Sequence, residues 1–217
     1  MSYIRFQDVS KSFGGNTVLD CAGFSVEQGE ICGFIGRNGS GKTVIFKLMT
    51  GLLLPDSGTI LFKDQDLNAG HRFIESMGVM IETPGFIPHY SGMKNLKILN
   101  SLSSNPVSAG EIKELMSRLG LDPKNRRPVR TYSLGMRQKL GIIQAVMNKP
   151  ELLILDEPMN SLDTESVENV RKLFIELNGS GTTIILASHI AEDIDSLCTR
   201  KFVIDSSKVR EAMSENP

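Results

Sequence analysis

Apolar and polar residues follow two different periods along this chain, and the change between them marks its parts. Residues 3–9 alternate, with Ile4 and Phe6 on one side, and residues 18–26 repeat the alternation before a turn at Gln28-Gly29-Glu30. A period of two marks half-buried strands, and the glycine turn Phe13-Gly14-Gly15-Asn16 between them predicts an antiparallel pair. Residues 31–35 are instead continuously apolar, as a strand buried on both faces would be. From Lys42 the period becomes helical, with Val44, Ile45, Leu48, Met49 and Leu52 on one face and Gly51 placed to end the helix in a left-handed cap. A turn at residues 55–58, a strand over 59–62, a short helix over 72–77 and a buried strand over 79–81 complete this first part.

At residue 82 the composition shifts. Helical periods run over 93–102, 109–119 and 134–147, separated by Pro106, Pro123 and Pro128. From residue 151 apolar strands return at 152–155, 183–187 and 202–204, alternating with helices over 164–177 and 190–197. Strands of this kind separated by helices predict a parallel sheet covered on both faces. The expected fold is therefore α/β: a core of residues 1–81 and 151–217 with a mainly parallel sheet, an N-terminal antiparallel β subdomain, and an inserted α-helical subdomain at 82–150.

Bulk properties narrow the function classes. The chain has 217 residues and a net charge of −1, so its totals carry no electrostatic footprint for nucleic acid, and none is expected as a partner. Its longest apolar runs are strand-sized, far below the ~18 residues of a membrane span. Cys21, Cys32 and Cys198 show no C-x-x-C spacing, and two lie in apolar runs, which reads as reduced core cysteines of a cytosolic protein. No secretory leader is expected before the first strand, and no regulatory domain after the last.

The chemistry begins where the apolar strand at 31–35 ends. Gly36, Arg37, Asn38, Gly39, Ser40, Gly41, Lys42 and Thr43 match G-x-x-x-x-G-K-[ST]. Glycines let the backbone curl into a ring of N–H donors, and the helix that follows adds its positive end, so main chain binds polyphosphate. Lys42 would reach the β- and γ-phosphates and the Thr43 hydroxyl would coordinate Mg²⁺. A nucleoside triphosphate is the expected ligand.

Two further strands also run straight into reactive groups: 152–155 into Asp156 and Glu157, and 184–187 into Ser188 and His189. Ligands of open α/β sheets bind at the carboxyl ends of strands, so these groups should meet. Asp156 is placed to hold the metal, Glu157 to act as base toward the attacking water, and His189 to hydrogen-bond that water or the γ-phosphate. His71 and His89 read as solvated surface residues. Phe13 either packs ordinarily in its turn or stacks on an adenine ring. Ser133 is a good helix N-cap, and Gly135 in the first turn leaves N–H groups open to a second anion; a capped helix explains Ser133 equally well.

Together these motifs resemble the nucleotide-binding subunit of an ABC transporter, over the whole chain. The resemblance makes 36–43 the Walker A loop, 152–157 Walker B, 132–138 the signature, 160–163 the D-loop with Asp163, and His189 the switch histidine. It implies that Phe13 stacks on adenine, that residues 36–44 hold ATP, and that Thr43, Asp156 and Glu82 surround Mg²⁺. It also implies that Ser133, Gly135 and Met136 touch the γ-phosphate bound to another protomer in a head-to-tail homodimer or heterodimer. Departures are Leu134 and Met136 in the signature, Val44 where a second threonine is usual, and Glu82 in place of the Q-loop glutamine. The style at 81–84 and 132–136 is similar to bacitracin and lantibiotic-immunity exporters. The expected function is thus an ATPase subunit that drives a separate membrane permease from the cytoplasmic face of the membrane. The alternatives are a soluble ABC-type ATPase of DNA repair or translation, and a small-molecule kinase sharing the glycine loop.

Overall fold

The computed structural model describes residues 2–67, 76–82 and 84–212. In chain order the strands and helices are β1 (Ser2–Phe13), β2 (Asn16–Glu27), β3 (Ile31–Ile35), α1 (Lys42–Met49), β4 (Ser57–Phe62), β5 (Gln65–Asp66), β6 (Met77–Met80), α2 (Gly92–Ser101), α3 (Ala109–Arg118), α4 (Leu134–Val146), β7 (Leu152–Asp156), α5 (Thr164–Gly179), β8 (Thr183–Ala187), α6 (Ala191–Leu197), β9 (Arg200–Asp205) and β10 (Lys208–Glu211).

Two sheets form. One is antiparallel, in the order β2-β1-β4-β5, and the other has six strands in the order β10-β9-β3-β8-β7-β6. Neighbours from β9 to β6 run parallel, and only β10 is antiparallel. Alternation along the central strands assigns each side chain to one of two cores. Cys32, Phe34, Leu152, Ile154 and Ile185 pack with α1 and the antiparallel sheet, where Phe24, Phe34 and Phe202 form a ring cluster. Leu153, Leu155, Ile184 and Leu186 face the other helices. Burial on both faces is why these strands are apolar without a break.

In the stretch 82–150, Ser91, Ser108 and Ser133 cap α2, α3 and α4 by accepting from the backbone N–H three residues on. The buried face of α4, with Leu140, Ile142, Ile143 and Val146, joins these helices to the sheet through β6. Each such side chain contributes about 1.5–3 kcal/mol by leaving water.

Several expectations change in detail. The helix expected over 72–77 falls mostly outside the described residues, as does His71, and Met77 opens β6 instead. The strand at β4 belongs to the antiparallel sheet, while β5 and β10 are too short and polar for periodicity to reveal. Gly51 has φ 71°, the left-handed conformation expected after α1. Cys32 is buried and Cys198 half-buried, and burial raises both thiols, Cys198 to about 12. Cys21 is exposed, so it is not a core cysteine.

Candidate nucleotide site at the strand ends

The loop between β3 and α1 is shaped by its own lysine. The buried Lys42 ammonium donates to the carbonyl of Gly36 at 2.6 Å and to that of Arg37 at 3.3 Å, drawing the loop into a ring. Gly41, at φ 107°, starts α1, and a Cβ there would stand 3.1 Å from the Val18 side chain of β2. Both the dihedral and the close approach require glycine. Arg37, Asn38 and Gly39 are exposed, and the Ser40 hydroxyl is buried without a partner. A cleft of about 330 Å³ lies against this ring, walled by Val18, Thr43, Val44, Asp156 and Glu157 together with loop residues.

The carboxylates reach the loop as the parallel sheet predicts. The Thr43 hydroxyl donates to Asp156 Oδ2 at 2.6 Å across 113 residues of sequence. Burial pushes the Asp156 carboxyl above its ordinary value, opposed by the Thr43 hydroxyl and aided by the neighbouring charge of Glu157. Glu157 turns back into the site because its backbone is left-handed, at φ 50°. Such a residue costs roughly 1–3 kcal/mol and persists only where its surroundings hold it. Here its N–H donates to Ala187 O at 2.9 Å, joining the ends of β7 and β8, and its carbonyl accepts from Gln138 Nε2 at 2.8 Å.

One oxygen of Glu157, Oε2, meets His189 Nδ1 at 2.8 Å. The other, Oε1, is buried with no hydrogen bond and lies 3.7 Å from the Lys42 ammonium. His189 is held by a chain the sequence did not announce. Arg171 on α5 donates to the buried Asp193 at 2.9 Å, and Asp193 accepts from the Ser188 hydroxyl at 3.2 Å, immediately before His189.

A second cleft of about 270 Å³ adjoins the first through Asp156 and Glu157, and its far side is Glu82, Leu134, Gln138, Asn160 and Ser161. Glu82, at φ 58°, pairs with Lys47 of α1 at 2.8 Å. Ser133 is exposed and accepts from Met136 N–H as the cap of α4, and Met136 packs against the helical core. A Cβ on Gly135 would meet Ser161 O at 2.8 Å, so the start of α4 lies directly against the loop that ends at Asp163. Asp163 caps α5 by accepting from Ser166 N–H at 2.9 Å.

Of the candidate residues, the structure thus brings together the glycine loop, Asp156, Glu157 and His189, with Glu82 beside them. Phe13 stands 45% exposed at the hairpin tip with the Lys11 ammonium 5.5 Å from its ring, and it is not among the residues that wall the cleft. No described hydrogen bond links Ser133, Gly135 or Met136 to the glycine loop. Sequence reasoning missed Gln138, Lys47, Arg171 and Asp193 as supports. Only Gln138 carried a signal, being on the helix that Ser133 caps.

The sequence matches the family described as ABC transporter over residues 19–160. It is 39% identical to YybJ of Bacillus subtilis, an uncharacterised ABC transporter ATP-binding protein, over 90% of this chain and 89% of that protein. Identity is 38% to the bacitracin transport ATP-binding protein BcrA of Enterococcus faecalis, over 89% of this chain and 63% of that one. It is 34% to the lantibiotic transport ATP-binding protein SrtF of Streptococcus pyogenes, over 89% and 83%. In fold, the chain superposes on a bacterial ABC transporter cassette solved as a dimer with a TM-score of 0.87 at 20% identity, covering 99% of this chain and 100% of that one.

Proposed function

The chain belongs to the ABC transporter family as an ATP-binding, ATP-hydrolysing subunit, and from that premise we propose that it closes head to tail with a second cassette over two ATP molecules to drive a separate exporter permease. The second cassette is a copy of this chain or a sister subunit. The cargo class is peptide antibiotics or similar hydrophobic compounds, by the similarity to bacitracin and lantibiotic transport proteins. No described helix is long and apolar enough to cross a membrane. On this proposal the membrane path belongs to the permease, which this subunit would meet at the cytoplasmic face.

The observation that carries this reading is the bond between Thr43 and Asp156 beside the unpartnered Glu157 oxygen. It joins a phosphate-binding ring to two carboxylates, of which Asp156 is held above its ordinary value by burial, an arrangement suited to a cation and a polarised water. Thr43 and Asp156 would hold Mg²⁺, with Glu82 bordering the same opening, and when bound the ion neutralises charge on the phosphate oxygens. The described residues offer no cluster of three acidic, His or Cys ligands, which fits an ion that keeps waters and phosphate oxygens as its other ligands.

The chain's own groups then have distinct tasks. Backbone N–H groups of residues 36–44 and the Ser40 hydroxyl bind phosphate, and the Lys42 ammonium compensates the β- and γ-phosphate charge. Glu157 accepts the proton of the attacking water, while His189 orients that carboxylate and offers a hydrogen bond to the γ-phosphate. Phe13 stacks on adenine. Ser133 and the N-terminal turn at Gly135 and Met136 supply donors to the ATP held by the other cassette, and Asp163 closes the seam beside them.

Glu157→Gln tests the assignment. The amide keeps the shape of the site but accepts no proton, so turnover should fall by about 10²–10⁴-fold while ATP binding persists. Undigested ATP should then hold the dimer together on size exclusion. A variant that hydrolyses ATP at the wild-type rate would remove Glu157 from the role of base.

A further inference from the structure

We propose that the outer end of the helical segment carries a binding site for the anionic headgroups of membrane lipids, centred on Lys94, Lys97, Lys124 and Arg126. The net charge of −1 conceals a strong separation. Residues 82–150 hold eleven Lys and Arg against four Asp and Glu, leaving thirteen against twenty-one for the rest of the chain.

The four cations line one open cavity of about 460 Å³, together with Ser91 and Met93 at the start of α2 and Pro123 and Asn125. All four are exposed. Many basic side chains elsewhere on the molecule are paired, among them Lys11 with Asp56, Lys63 with Glu151, Arg118 with Glu176 and Lys149 with Glu111. Among the described residues no carboxylate pairs with Lys94, Lys97, Lys124 or Arg126, nor with the nearby Arg127 and Arg130. Lys94 instead lies 3.5 Å over the ring of Tyr90.

Unneutralised cations around a cavity attract an anion of compact shape, and the neighbouring acid, Asp122, accepts from the Lys124 backbone N–H at 2.9 Å and is paired with none of the four side chains. A compact cluster suits a phosphate headgroup in a bilayer, whereas a nucleic-acid surface needs a stripe that tracks a backbone with aromatic platforms along it. This inference rests on the reading of the chain as a permease-bound subunit, which holds it next to a membrane. The site would orient the cassette with the start of α2 against the bilayer.

The test is flotation of the full chain with vesicles of phosphatidylcholine alone and with about one third phosphatidylglycerol, at low and high salt. Wild-type protein should float with the anionic vesicles only, and lose that binding as salt screens it. Each cation at a membrane surface is worth about fivefold in partitioning, so Lys97→Gln with Arg126→Gln should weaken it about 25-fold. Lys149→Gln, which removes one positive charge outside the cavity, should leave it within about twofold. Equal flotation with neutral vesicles, a double variant that binds like wild type, or displacement from anionic vesicles by single-stranded RNA at low concentration would each overturn the site. ATP hydrolysis is measured on the same preparations. Lost vesicle selectivity with hydrolysis intact overturns the lipid site and leaves the transporter reading standing.

Discussion

The ends of the parallel strands and the helical segment handle polar groups in opposite ways. At the strand ends most reactive groups are already engaged inside the chain, Lys42 with the loop carbonyls, Thr43 with Asp156 and Glu157 through one oxygen with His189, leaving the Ser40 hydroxyl and the other Glu157 oxygen open. In the helical segment Ser133 is an exposed cap, Leu134 is 56% exposed and a cluster of cations has no paired carboxylate among the described residues. One region is assembled before a ligand arrives, because burial makes an unpaired charge expensive. The other presents its groups outward, where water satisfies them until a partner replaces it. The two touch where Gln138 bonds the carbonyls of Glu157 and Pro158 and where Gly135 meets Ser161. A closing partner that moves α4 would therefore act directly on Glu157.

The largest effect that would sharpen this contrast is expected from Asp156→Asn. Loss of the carboxylate should reduce Mg²⁺-dependent hydrolysis by at least about 10²-fold, since the pair with Thr43 no longer offers an anionic ligand. The same change should raise the melting temperature without nucleotide at neutral pH. Burial raises the folded carboxyl's pKa, so its charge costs stability above that pKa, and the cost vanishes as pH falls below the ordinary value. A variant that melts earlier than wild type at neutral pH would mean that the strand-end site is not held at a cost.

Ser133→Asp probes the other region. Aspartate caps a helix as well as serine, so melting should be unchanged, but its charge would face the phosphate of the opposite cassette and abolish ATP-driven dimerisation. Retained dimerisation would reduce Ser133 to a cap. Phe13→Ala should weaken ATP by about 1–3 kcal/mol, the worth of one base stack, read as fluorescent-nucleotide affinity. Unchanged affinity would leave Phe13 as an ordinary exposed aromatic. The smallest effect belongs to Glu82→Gln, which removes the ion pair with Lys47. An exposed pair is worth about 0–1 kcal/mol, so basal ATPase should stay within a few fold across a Mg²⁺ series. A larger drop would make Glu82 part of the metal site rather than its border.

Local pattern was enough for most elements and for the main motif. Periods of two and 3.6 are set by where side chains point from the backbone, so β1, β2, α1, α4 and β8 could be read within a few residues of their ends. The glycine loop was legible because its chemistry needs fixed residue types at fixed spacing, and the resemblance of the whole set to ABC cassettes followed from that. Tertiary packing alone decided which sheet β4 joins, the antiparallel one beside β1, because pairing is chosen by which edge is free and not by the strand's own composition. It also decided the left-handed turn at Glu157, the clamp from Gln138, and the chain from Arg171 through Asp193 and Ser188 to His189. Those contacts join residues up to 22 positions apart, each unremarkable in sequence, and their energy exists only once burial has removed water from between them.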